Sequence, residues 1–287
     1  MSQNRASMLD RPVAQTFFRY GLPWSAAFLL LSSAGLVDTI FIGRYVGAQA
    51  LAAVNIVSPV FSIFFGMGVM LSVGGTVRSA HHMGRGDLRA ASAVFGRTML
   101  LILLAGLVLA LLSLLFRPLL LALLGTDGDV MRPAHQYLTT ILLFSPVLPA
   151  SYALSQFARV DHHPTLASLG LILSAAVNIF LDYLFIARFG WGVQGAALAT
   201  GLGFSCTLLL FLIHFLSRRA LLRLTLKGCG WREILRASLN GSAESINEIS
   251  VGSIILLINH LMMARFGSSG VAAFTVVSYG SWFGLTL

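Results

Sequence analysis

Charge is what this chain has least of. Ten acidic and nineteen basic residues leave only 10% of 287 positions charged, against about a quarter in soluble domains. With 57% hydrophobic residues and a mean hydropathy of +0.85, a soluble globular chain is excluded and an integral membrane protein is expected. Cysteine is nearly missing: Cys206 lies in an apolar run and Cys229 in a basic loop, which excludes a disulfide frame or a metal knuckle. Among seven histidines two adjacent pairs stand out, His81-His82 and His162-His163, and adjacent side chains do not face one metal, so no metal site is expected. No glycine-rich loop runs into a Lys-Ser/Thr pair after a strand, which argues against ATP hydrolysis. The chain reads as no enzyme, with no catalytic residues and no cofactor. The basic surplus is spread over short loops rather than gathered on one module, so no nucleic-acid partner is expected either.

What is present is a series of apolar runs of about 20 residues, the length needed to cross a bilayer. Spans are expected near 16–43, 52–77, 93–116, 136–158, 165–187, 193–216 and 240–264, with an eighth starting near 271 and reaching the end at Leu287. The fourth contains Pro146 and Pro149, so a bend relieved by neighbouring helices is expected there. The polar start, Met1 to Gln15, leads into the first span without a small-residue cleavage site, which predicts a retained signal anchor. Placing the N-terminus in the cytoplasm puts fourteen basic residues inside and leaves Arg44, Arg117, Arg132, Arg188 and Arg265 outside. That asymmetry selects a multi-pass orientation in the cytoplasmic membrane with the lipid bilayer as partner.

Four of the ten acids, Asp38, Asp182, Glu244 and Glu248, fall inside these spans. A carboxylate at mid-membrane costs about 2.5 to 3.5 kcal/mol, so such residues usually face a protein-lined cavity. Asp38 and Asp182 each sit roughly 9 Å below the outer end of an outward-climbing span, at one depth. Asn178 precedes Asp182 by four residues and shares its helical face, offering an amide to a protonated acid or a carbonyl to sodium. Two acids converging at one depth repel when both are charged, so a proton can be held between them. The alternative for Asp38 is a residue near a helix end, snorkelling outward or pairing with Arg44.

The longest loop, Ser217 to Leu239, is rich in Arg and Lys and carries Trp231, Ile234 and Leu235 at near-helical spacing. Two readings stay open for it: an amphipathic segment on the inner leaflet or a solvated basic linker. An internal repeat at an offset of 220 residues aligns Gly47 through Ser58 with Gly267 through Ser278, matching five of twelve positions including Gly47/Gly267. Gly21/Gly241 and Ser25/Ser245 extend it. Parallel repeats of this kind build two-lobed transporters. The expected organisation is an all-α polytopic bundle: a six-span lobe over 1–216, a cytoplasmic linker over 217–239, and an incomplete second lobe over 240–287. Twelve spans would complete two lobes, so a truncated product is expected. Gly66, Gly68, Gly74 and Gly75 in the second span suggest close helix packing, or bending of the span, rather than phosphate binding. Met67, Met70 and Met83 with Phe61, Phe64 and Phe65 suggest a soft stripe for organic cations, or plain helix packing.

Several motifs in order resemble the multidrug and toxic compound extrusion (MATE) family, DinF-like branch. They are Gly21-Leu22-Pro23, Val37-Asp38-Thr39-Ile40-Phe41-Ile42-Gly43 followed by Gly47 and Leu51-Ala52-Ala53-Val54, Gly84-Arg85-Gly86-Asp87, Asn178 through Ile186, and Trp191 through Thr200. Tyr183 stands where that family commonly has proline, which leaves the bend of the fifth span open. The resemblance implies that Asp38, Asn178 and Asp182 form a cation- or proton-handling site in the first lobe. It also implies that Glu244 and Glu248, with Asn259 farther out on the same span, form a substrate or second cation region. A cap at the inner helix end, or salt bridges to Arg232 or Arg236, is the alternative for the glutamates. The implied function is antiport: a proton or sodium ion moves in, small organic cations move out by alternating access, and no obligate protein partner is evident. The alternatives are lipid-linked oligosaccharide flipping and an inactive membrane subunit.

Overall fold

A computed structural model describes residues 13–126, 128–228 and 230–286, with side chains absent from the description at 13–24, 26–28, 31, 282, 285 and 286. The proposed anchor start, Arg5, Arg11 and Cys229 therefore lie outside the described residues. Described residues form helices and connecting turns, as an all-α bundle requires. In chain order they are α1 (Val13–Tyr45), α2 (Ala48–Gly84), α3 (Leu88–Leu115), α4 (Arg117–Leu123), α5 (Met131–Leu142), α6 (Val147–Val160), α7 (Pro164–Asp182), α8 (Gly192–Leu216), α9 (Trp231–Ser238) and α10 (Ser242–Thr286). Among the described residues five helices are long and apolar enough to cross a membrane, six when bent α5–α6 counts as one span.

Helix α2 is the centre of the bundle, packing on α3, α5, α6, α9 and α10. Its burial runs round the helix because alanines and glycines let neighbours approach from every side. The four glycines behave as packing surfaces: a Cβ at Gly66 would meet Ile249, at Gly68 Pro149, at Gly74 the Ala237 carbonyl, and at Gly75 the Thr98 side chain. Asp87 of the Gly84-Arg85-Gly86-Asp87 motif caps α3, its Oδ1 accepting from the Ala90 amide at 3.0 Å. The carboxylate satisfies a donor that the helix start would leave open.

The fourth span breaks where its prolines stand. Helices α5 and α6 meet at 47°, and Pro146 supplies no amide to continue the ladder. Ser145 Oγ donates to the Leu142 carbonyl at 2.8 Å, covering an acceptor left at the break. The fifth span continues past Asp182 as a π-helix, Tyr183–Arg188. Tyr183, where a proline is the family expectation, opens this wider turn.

The expected seventh and eighth spans form one helical run, α10, broken at Gly267 with φ 63° and ψ −158°. Its repeat partner Gly47 has φ 114° and ψ 175° between α1 and α2. Both positions combine a positive φ with a nearly extended ψ, which only glycine adopts without strain. The repeat thus marks two equivalent reversals, and the eighth span starts at the break rather than near 271.

The 217–239 segment is no solvated linker. The Asp161 carboxylate accepts from the amides of Leu221 (2.9 Å) and Leu222 (2.7 Å), Ser92 Oγ accepts from the Arg223 amide at 3.1 Å, and Arg97 Nε donates to the Leu226 carbonyl at 2.9 Å. Leu222 is buried outright. The following α9 buries Ile234 and Ala237, the latter against Gly74 of α2, while Trp231 and Leu235 remain exposed, as does Leu239 just beyond it. Glu233 of α9 ties back to α2 through Arg78 and His82. The helix is amphipathic, and one apolar face of it is spent on the protein itself.

Candidate functional site

Helices α1 and α7 lie side by side, and this pairing gathers the two aspartates. Asp38 is close enough to Asp182 to act on it through space. Asp182 is completely buried, and among the described residues neither of its carboxylate oxygens has a hydrogen-bond partner; Asp38 Oδ1 is likewise buried and unpartnered there. A buried, unpaired carboxylate is tolerable when neutralised by a proton or by a bound cation.

Beside them opens a cavity of about 350 Å³, lined by Asp38, Asn178, Ser58, Ser62, Ser174 and Thr200 together with Phe61, Phe65, Tyr137, Phe204, Ile255 and Tyr279. Asp182 is not part of its wall, so Asp38 is the acid that faces the space directly. Phe61 and Tyr137 approach with ring centroids 6.3 Å apart, and Phe65 meets Tyr152 at 5.5 Å. Tyr137 and Tyr279 both lie within electrostatic reach of Asp38. Negative ring faces around one carboxylate suit an organic cation.

Asn178 does not pair with Asp182 here. Its Nδ2 donates to Thr200 Oγ1 at 3.3 Å, so the shared helical face leads to the α8 wall of the cavity rather than to the acid. Phe61 and Phe65 of the soft stripe face the cavity, whereas Phe64 joins one buried cluster and Met67 packs against another, around Phe95 and Phe157. Sequence reasoning missed Tyr137, Phe204 and Tyr279, for which an aromatic residue in an apolar span gives no signal beyond packing.

Glu244 and Glu248 are not brought to this cavity. Glu244 is exposed and Glu248 half-buried, and both act electrostatically on Tyr152, whose hydroxyl accepts from Gln156 Nε2 at 2.9 Å. Asn259, expected with the glutamates, sits elsewhere too. It is buried at the α2–α10 crossing, donating to Asn55 Oδ1 at 2.9 Å and to the Asn55 carbonyl at 3.2 Å. An amide pair inside a membrane bundle fixes the register of two helices. In a double-mutant cycle with Asn55→Ala and Asn259→Ala, thermal unfolding in detergent should give a coupling of about 0.6 to 1.7 kcal/mol. A coupling of zero would mean that the pair is incidental.

A family model described as MatE matches residues 23–184, more than half of the chain. The multidrug export protein MepA of Staphylococcus aureus is 28% identical over 276 residues, covering 96% of this chain and 60% of the relative. Among solved structures, the MATE multidrug transporter DinF-BH superposes with a TM-score of 0.88 at 26% identity, covering all of this chain and 65% of that one. This agrees with the DinF-like resemblance. An inward-facing multidrug resistance MATE transporter of the MOP superfamily superposes at 0.83 with 26% identity, over 90% of this chain and 58% of that one. The chain spans about 60% of the length of the curated relatives it matches. On the match of residues 23–184, and with this fold, the chain belongs to the MATE family of multi-pass membrane proteins.

Proposed function

We propose that this chain carries the cation-handling site of a multidrug antiporter, in which entry of a proton or sodium ion at Asp38 and Asp182 drives export of small organic cations. The observation that carries this is a pair of interacting buried acids without hydrogen-bond partners beside an aromatic cavity. Neutralising Asp38 removes the charge that attracts a cationic substrate, so ion and substrate compete. Such competition couples the two fluxes only if the ion has different affinity for the inward- and outward-open states. Asn178, facing the cavity, supplies a carbonyl for sodium or a hydrogen bond for substrate. Glu244 and Glu248, nearer the expected cytoplasmic side, serve in this scheme as a second cation region.

The wider arrangement belongs to the same proposal: a first lobe over 1–216, the 217–239 connection, and a second lobe beginning at 240, in the cytoplasmic membrane with the N-terminus inside. The fourteen-to-five division of basic residues supports that orientation. No catalytic chemistry and no resident cofactor are needed. Lipid-linked oligosaccharide flipping would favour basic groups on the wall, and no Lys or Arg lines the described cavity.

The test is dye efflux from proteoliposomes under an imposed proton or sodium gradient. It is run with the 287-residue chain and with a version extended to the length of its relatives. Export that follows one of the gradients is the expected result. Export indifferent to both gradients in both versions, with dye still bound, would overturn coupling through the aspartates.

A further inference from the structure

The end of the bundle away from Gly47 and Gly267 holds a second cluster of chemistry that transport does not use. Asp161 follows α6, His163 precedes α7, and His214 lies in the last turn of α8. One ligand atom from each lies within 4.8 Å of the other two. Asp161 Oδ2 is 2.9 Å from His214 Nε2 and 3.3 Å from His163 Nδ1, and the imidazole rings approach with centroids 4.4 Å apart.

We propose that Asp161, His163 and His214 form a binding site for a divalent transition metal of the zinc class. At metal–nitrogen and metal–oxygen lengths of about 2.0 to 2.2 Å, tetrahedral ligands stand about 3.3 to 3.5 Å apart. The Asp161–His163 separation already matches, and the Asp161–His214 separation needs to open by roughly half an ångström. Two imidazoles and one carboxylate are the donor set that such ions prefer over magnesium or calcium.

The site is built rather than accidental. Asp161 is wholly buried, and its other oxygen, Oδ1, is held by the Leu221 and Leu222 amides. That is the outer-shell support which orients a ligating carboxylate. The His163 side chain is 40% exposed, giving the ion a way in and room for a water as the fourth ligand. To ligate, each ring carries its proton on its other nitrogen. His163 Nδ1 then gives up its 2.7 Å hydrogen bond to the Asp161 carbonyl oxygen, and the neutral ring is unchanged in charge. Because Asp161 also grips residues 221 and 222, a bound ion ties the α6–α7 loop, the end of α8 and the 217–226 strap into one clamp.

The experiment uses the purified full chain in detergent, carrying an affinity tag without histidine, with Co²⁺ as the probe. One equivalent of Co²⁺ is expected, with the strong visible bands of four- or five-coordinate cobalt and displacement by Zn²⁺. H163Q and H214Q should each weaken binding by at least about 10- to 100-fold, the range lost when even outer-shell partners are changed. H82Q should leave the bands intact. Zn²⁺ should slow tryptic cleavage at exposed Arg218 and Arg219 in the parent chain but not in H163Q. If H214Q fails to fold, H163Q decides alone, since that side chain is half in solvent. No saturable Co²⁺ above an H163Q/H214Q double variant, or bands that persist in H163Q, would overturn the site. Equal cleavage with and without Zn²⁺ would overturn the clamp.

Discussion

Asp38→Asn and Asp182→Asn are each expected to lower gradient-driven export by about 5- to 150-fold, the range that a coupling free energy of 1 to 3 kcal/mol spans. The two should differ in what they leave intact. Asparagine imitates a permanently neutral acid, so Asp182→Asn removes a buried charge without removing anything from the cavity wall, and dye binding should survive. Asp38 lines the cavity itself, so Asp38→Asn should weaken cationic dye binding as well as coupling. Neither variant should unfold, because neither carboxylate loses a hydrogen bond at its unpartnered oxygens, and a neutral isostere removes the desolvation cost of an unpaired buried charge. Flux in proteoliposomes, equilibrium dye binding and thermal unfolding in detergent separate the three effects. Full coupled flux in both variants would remove the aspartates from the mechanism.

The second large effect is on assembly. A Cβ at Gly74 would stand 2.2 Å from the Ala237 carbonyl oxygen, and one at Gly241 would stand 2.4 Å from the Met70 carbonyl oxygen. Both obstacles are backbone, which cannot swing aside as a side-chain tip can. Overpacking of a tight core costs about 1 to 3 kcal/mol. Gly74→Ala and Gly241→Ala should sit at or above the top of that range, and the valine variants should fail to yield monodisperse protein. Gly280 has open space where its Cβ would be, so Gly280→Ala serves as the control and should stay within about 0.5 kcal/mol of the parent. Detergent melting curves and size-exclusion profiles provide the measurement. Gly74→Ala and Gly241→Ala variants as stable as Gly280→Ala would mean that α2, α9 and α10 do not depend on this close crossing.

Helix placement was legible because periodic signals are local. Pro146 announced the break between α5 and α6, and the Gly47/Gly267 repeat announced two backbone reversals of one type. The acids announced themselves by cost alone: a carboxylate in an apolar run needs a reason, and Asp38 and Asp182 lie on neighbouring helices within electrostatic reach of each other. Partner choice was another matter. Asn178 shares a helical face with Asp182, yet the neighbouring helix offered Thr200 and the amide turned there. Asn259 could not be matched with Asn55 from spacing, since 204 residues separate them. The histidine pairs misled for a related reason. His163 does not act with adjacent His162 but meets His214 from another helix and Asp161 from its own loop. Tyr137 and Tyr279 reach Asp38 through tertiary packing that no single segment encodes.

The tight seam between α2 and the start of α10 has a mechanical consequence. With Gly241 wedged against Met70 and Ala237 against Gly74, the base of α10 is riveted to its neighbour, while farther along the same helix Asn259 meets α2 through its amide pair with Asn55. Eighteen residues of helix separate Gly241 from Asn259, a lever of about 27 Å. Tilting that lever by 10° about its base would sweep Asn259 through about 5 Å, more than the amide pair can stretch. The hinge and the latch of any rocking therefore occupy opposite ends of one seam, and the latch must let go before the hinge can turn.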